Sequence, residues 1–103
     1  MGWFLGGRFS PTLYEHDDFE VACKFYKKGE KHEPHYHLKS VEYTVFQFGI
    51  AKVNGKLFGA NTILIVSPGE IIEFEAITDI ISVVIKCPSA IGDKYLVDNK
   101  SGE

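Results

Sequence analysis

Residues 29–49 read GEKHEPHYHLKSVEYTVFQFG, and three of the chain's four histidines, His32, His35 and His37, fall inside them. Glu42 follows shortly after. Two readings are open for such a stretch: a metal site, or a polar surface that carries imidazoles. The His35-Tyr36-His37 spacing bears on the choice. On a strand, residues two apart share a face about 6.5–7 Å apart along the chain, close enough for both rings to reach one ion. On a helix the same spacing makes the two rings diverge. Two imidazoles and one carboxylate form an N/N/O set suited to Zn, Fe(II), Mn, Ni or Co. A His-x-His pair also arises by chance on solvent-facing strands, so the flanking sequence has to decide.

That flanking sequence is β-rich. "DFEVACKFYKKG" alternates, with Phe19, Val21, Cys23 and Phe25 on one face and Glu20, Ala22, Lys24 and Tyr26 on the other. "VEYTVFQFGIAKV" reads as a strand pair or one long strand bent near Gly49. "VNGKLF" holds Asn54-Gly55, a strong signal for a two-residue hairpin turn. "TILIVSPGE" is a short apolar strand that ends in a Pro68-Gly69 turn. "EIIEFEA" alternates again, and "DIISVVIKCPS" is an apolar strand stopped by Pro88. Only the tail "SAIGDKYLVDN" is a candidate helix. Many short strands separated by turns predict an all-β sandwich or barrel, closed because open edges this apolar would aggregate.

Composition narrows the class. The chain has 103 residues, 45% of them hydrophobic, with eight Phe, five Tyr and a net charge of −3. That length predicts a single domain, residues 1–103. The charge offers no basic face, so no nucleic-acid partner is expected. No apolar run is long enough to cross a bilayer as a helix, so no membrane is expected. The start, "MGWFLGGRFSP", lacks the pattern of a secretory signal, and a cytoplasmic protein is expected. Cys23 and Cys87 have no CxxC spacing and are read as small apolar side chains. His16 is read as an exposed turn residue and His32 as a rim residue.

With the strands placed, the histidine stretch acquires a frame. Gly29, His35, His37, Glu42 and Gly49 match G-x5-H-x-H-x4-E-x6-G at every fixed position, and this resembles the first motif of the cupin family. Gly59, the apolar "ANTILIV" and Pro68-Gly69 resemble part of the second motif, with "IAKVNGKLF" like the hairpin between the two. The resemblance spans about residues 19–87. It implies a single small jelly-roll β-barrel, the double-stranded β-helix of cupins. It further implies a divalent metal (Fe, Mn, Zn or Ni) held by His35, His37 and Glu42. The family's fourth ligand would fall at Ile72, which cannot coordinate. Glu73 is turned to the opposite face by alternation, and Glu70 sits in the turn. A three-ligand set with open positions therefore remains, or else a weakened or empty metal site.

Alternation around the motif assigns the pocket. Thr44, Phe46 and Phe48 are expected to face in with Glu42, and Phe74 with Ile72. Cys23, Phe25 and the rest of their set are expected to line the barrel from the first long strand, and Ile81, Val83, Ile85 and Cys87 from the last. The expected pocket is lined by Cys23, Phe25, Thr44, Phe46, Ile72, Phe74 and Ile85, and is largely apolar, as small-molecule sites are. Three functions are compatible: a metal-dependent enzyme of dioxygenase or isomerase type, a non-catalytic ligand-binding or sugar-related module, and a jelly roll without a working site. The apolar segment 1–12, with Trp3, Phe4, Leu5 and Phe9, is expected to pack on the barrel or on a partner, and a homodimer is expected.

Overall fold

The structure is a computed structural model, and it describes residues 3–7, 12–90 and 93–97. Among the described residues ten strands follow one another: β1 (Trp3–Gly7), β2 (His16–Tyr26), β3 (Lys31–Tyr36), β4 (Val41–Phe48), β5 (Ala51–Val53), β6 (Lys56–Phe58), β7 (Thr62–Val66), β8 (Ile72–Ala76), β9 (Ile80–Cys87) and β10 (Tyr95–Leu96). They build two five-stranded antiparallel sheets, ordered β1-β2-β9-β4-β7 and β10-β3-β8-β5-β6. Apart from the pairs β1–β2 and β5–β6, consecutive strands alternate between the sheets, and this makes the jelly roll. No helix among the described residues is long and apolar enough to cross a membrane.

The turns follow their residues. Asn54 (φ 50°) and Gly55 (φ 82°) both take the left-handed conformation that joins β5 to β6. Gly49 (φ 93°) ends β4 and swings the chain into the second sheet. A side chain at Gly49 would collide with the Asp79 carbonyl oxygen, so glycine is required there for space as well as for backbone angle. The tail segment read as a candidate helix instead contributes β10, which pairs with β3 through Tyr95–Tyr36 and Leu96–His35. A two-residue edge strand carries too little pattern to outweigh a helical reading.

The core lies between the sheets, where Phe46, Ala51, Val53, Val66, Ile72, Phe74, Ala76 and Ile80 pack together. Two strands run opposite to expectation. In β2 it is Glu20 and Ala22 that are buried, while Phe25 is exposed; in β9 it is Ile80, Ser82, Val84 and Lys86 that are buried, while Ile81 is exposed. Phe19, Val21, Cys23 and Phe25, with Ile81, Val83, Ile85 and Cys87, therefore form the outer face, and Cys23, Phe25 and Ile85 do not line the cavity. Phe48 is also exposed, because a register shift after Phe46 breaks the alternation of β4.

Of the N-terminal segment, β1 pairs with β2 of the same chain. The side chains of Trp3 and Phe4, together with Arg8 and Phe9, lie outside the described residues.

Candidate functional site

The inner face of the first sheet is organised in cross-strand rows. One row is Glu20–Lys86–Glu42–Val66, the next Ala22–Val84–Thr44–Leu64, and the next begins Lys24–Ser82–Phe46. A cavity of about 410 Å³ opens above these rows. One of its walls is apolar, from Phe46, Leu64, Val66, Ile72 and Phe74. The other is polar, from Glu20, Lys24, Glu42, Thr44 and Lys86, with His32, His35 and His37 at the side. Thr44, Phe46, Ile72 and Phe74 thus stand where the sequence placed them. The cavity is less apolar than expected, because β2 and β9 turn their charges inward.

His35 comes from β3 and His37 from the turn just after it; both are buried, with ring centroids 5.6 Å apart and the rings nearly perpendicular. His35 Nδ1 lies 3.0 Å from the Glu33 carbonyl oxygen. A carbonyl only accepts, so Nδ1 carries the proton and Nε2 keeps its lone pair. This backbone contact is the kind that fixes the tautomer of a metal-binding imidazole. His37 Nδ1 is buried with no hydrogen-bond partner. Burial holds both imidazoles below the ordinary histidine range, with the Glu42 carboxylate pulling the other way in each case. Both rings are therefore neutral and able to donate at neutral pH.

Glu42 faces the same cavity from β4. In this rotamer arrangement no three His, Cys, Asp or Glu side chains among the described residues converge as a ready cation cage. Ile72 is the cross-strand partner of His35 and is buried, so an apolar side chain stands beside the histidine pair on the neighbouring strand. Glu70 accepts the Ser67 backbone N–H at 2.7 Å and serves its own turn. Glu73 lies on the opposite face of β8, exposed.

His32 is part of the cavity wall rather than a bystander. A register irregularity between His32 and His35 lets both face inward although they are three residues apart. Its ring packs against Tyr26 (5.3 Å) and Phe74 (4.9 Å), and Nε2 lies 2.9 Å from Glu30. His16 opens β2 and stacks on Phe19 at 4.9 Å, with its Nδ1 accepting the Asp18 N–H.

Five side chains that matter here were not singled out in the sequence. Asp93 is buried and accepts the backbone N–H groups of Leu38, Lys39 and Ser40 at 3.0–3.2 Å. Burial alone would raise its pKa, but those three donors outweigh it and hold the carboxyl below its usual value. Asp93 thereby clamps the turn that begins at His37. Lys86 and Glu20 form an ion pair at 3.4 Å with both side chains about nine-tenths buried. Burial lowers the Lys24 pKa, and Glu42 is the strongest of the charges opposing that. Burial and then Glu42 push the Tyr26 hydroxyl well above its ordinary range. The available signal was the pair of charges, Glu20 and Lys24, recurring at the strand period, but that pattern is ordinarily solvent-facing.

No family model matches the chain, and no curated protein matches it. Solved structures do. An uncharacterized conserved protein with a double-stranded β-helix domain from Klebsiella pneumoniae aligns with a TM-score of 0.71 at 21% identity, over 81% of this chain and 73% of that one. KdgF from Halomonas sp. gives 0.68 at 15% identity, over 73% of each chain. An RmlC-like cupin protein from Ralstonia eutropha gives 0.66 at 12% identity, over 82% of this chain and 54% of that one. The chain thus has the all-β, double-stranded β-helix fold that these structures share.

Proposed function

We propose that this protein holds a divalent cation through His35, His37 and Glu42 and presents it to a small ligand in the cavity between the sheets. The observation that carries this reading is the pairing of a tautomer-fixed His35 with a buried His37 whose Nδ1 has no partner. A buried polar nitrogen without a partner costs free energy, and a cation bound to it would remove that cost. Turning the Glu42 side chain toward the two rings completes a facial set of two imidazoles and one carboxylate. Ile72 supplies no fourth donor, so coordination positions stay open for water or ligand. A cation so held acts as a Lewis acid toward a ligand oxygen.

The chain's own residues shape what enters. Phe46, Leu64, Val66 and Phe74 take up the apolar part of a ligand, and the Lys24 side of the cavity takes up a polar or anionic part. Elemental analysis of untagged protein, after incubation with Fe(II), Mn(II), Zn(II) or Ni(II) and desalting, tests the site. About one equivalent in the wild type and a loss in both His35→Ala and His37→Ala is expected. Equal metal content in all three proteins removes the reading.

A further inference from the structure

The two histidines of the pair are held in place by different means. His35 lies inside β3, with Leu96 of β10 on one side and Ile72 of β8 on the other. Ladder pairing on both sides fixes its backbone, and alternation then aims its side chain at the cavity. His37 stands one residue beyond Tyr36, where β3 ends, and no strand pairing among the described residues includes it. It is nevertheless only 5% exposed, and it lines the same cavity.

What holds His37 is the peptide group that follows it. Its carbonyl oxygen accepts the Gly69 N–H at 2.6 Å, and the N–H of the same peptide group, that of Leu38, donates to Asp93 Oδ1 at 3.0 Å. A peptide group is planar, so gripping it at both ends fixes ψ of His37 and with it the direction in which the side chain leaves the backbone. Asp93 also accepts the Lys39 N–H on both oxygens, at 3.2 and 3.0 Å, and the Ser40 N–H at 3.0 Å. Three successive N–H groups turned toward one point make an anion-binding concavity, and the Asp93 carboxylate fills it. The Ser40 hydroxyl closes the turn from another side, donating to the Pro88 carbonyl oxygen at 2.7 Å.

Asp93 reaches this turn through the register of the tail. β10 runs antiparallel to β3 with Tyr95 opposite Tyr36. Two residues back along the tail and two forward from Tyr36 bring Asp93 level with Leu38. Tyr95 stacks on Tyr36 at 5.5 Å, and the Val97 N–H donates to the Pro34 carbonyl oxygen at 3.1 Å, so the tail is pinned beyond Asp93 as well.

The geometry points to Asp93 as a positioning residue: through the backbone of the 38–40 turn it sets where the His37 ring stands, and the docked tail thereby becomes part of the site. The consequence for a cation rests on the reading proposed above, whereas the seating of His37 does not.

Acylation by diethyl pyrocarbonate, mapped histidine by histidine with mass spectrometry on the metal-free full chain, tests the seating. Asp93→Asn replaces one accepting oxygen with an NH2 group. His37 is expected to react several-fold faster in it than in wild type, with His35, the partly exposed His16 and the circular-dichroism spectrum unchanged. A merely structural role would loosen both buried histidines together. In chelator competition, Zn(II) is expected to bind Asp93→Asn about 10–100-fold more weakly than wild type. Asp93→Glu, which keeps the carboxylate but moves it outward, is expected to show the same selective change and carries the test if Asp93→Asn does not fold. A His37 rate equal to that of wild type in the folded variant, or a rise shared by His35, overturns the role given to Asp93. Equal zinc affinity in the variant and in a wild type that binds zinc overturns it too. A wild type that binds no zinc defeats the metal reading alone, and the acylation rates then decide the role of Asp93.

Discussion

A buried imidazole with a bare nitrogen is a liability in water and an asset to a cation, and His37 is that residue. Because burial lowers the pKa values of both His35 and His37, the unfolded chain takes up protons on these residues at a higher pH than the folded chain does. Their contribution to stability is therefore intact above the ordinary histidine value of about 6.5 and is eroded as pH falls through that value toward the lower folded ones. The thermal midpoint of metal-free wild type should drop between pH 7 and pH 5, and by less in His35→Gln/His37→Gln, where nothing titrates; equal drops in the two proteins would exclude this cause. Ile72 offers a converse test. It pairs with His35 across β3 and β8 and lines the cavity, so Ile72→His adds a fourth donor beside the existing pair. Zinc, which favours four protein donors in structural sites, should bind more tightly to Ile72→His than to wild type in a chelator-competition titration. Weaker or equal binding would mean that the cation does not sit on the His35 side of the cavity.

At the scale of elements, β2 and β9 show what the sequence could and could not disclose. Their boundaries were legible, because period-two alternation and Pro88 mark strands regardless of which face is buried. Their orientation was misread, because apolar residues are ordinarily interior and here they are exterior. The physical reason is that a cavity, not solid core, lies beneath this part of the sheet, and the Glu20–Lys86 pair needs that shielded polar interior. Glu42, Thr44, Phe46, Ile72 and Phe74 face the cavity as expected because their face was read from alternation with the motif positions Glu42 and Ile72, not from which face is apolar. Asp93 gave no sequence signal at all, since its role depends on chain reversal bringing it to the 38–40 turn. The Glu20–Lys86 pair supports a quantitative test. Removing one member of a buried pair leaves an uncompensated charge and costs about 3–5 kcal/mol, whereas removing both costs far less than the sum. Lys86→Met also leaves Glu20 and Glu42 as the remaining charges of their row. Urea denaturation should show Lys86→Met severely destabilised and Glu20→Gln/Lys86→Met substantially restored; additive losses would show that the pair is not coupled.

The whole molecule is a small barrel asked to keep charges, imidazoles and a cavity inside, which leaves less of its interior for apolar packing than a chain of this size would otherwise have. Such a domain gains disproportionately from anything that binds only its folded form. A cation at His35, His37 and Glu42 has that property, because the three donors are brought to one cavity only by the crossing of strands between sheets. At a free cation concentration of one hundred times Kd the gain is about 2.7 kcal/mol, and for a domain near 100 residues this raises the thermal midpoint by roughly 10 °C. Differential scanning calorimetry at fixed protein concentration, with and without Mn(II), Zn(II), Fe(II) under anaerobic conditions or Ni(II), should show a rise of that order for at least one metal. The rise should vanish in His35→Ala/His37→Ala and persist in Ile63→Lys/Ile65→Lys, since the cavity and the outer face lie on opposite sides of one sheet. A metal-induced rise that survives loss of both histidines would place the cation elsewhere on the chain and would separate the motif from the chemistry assigned to it.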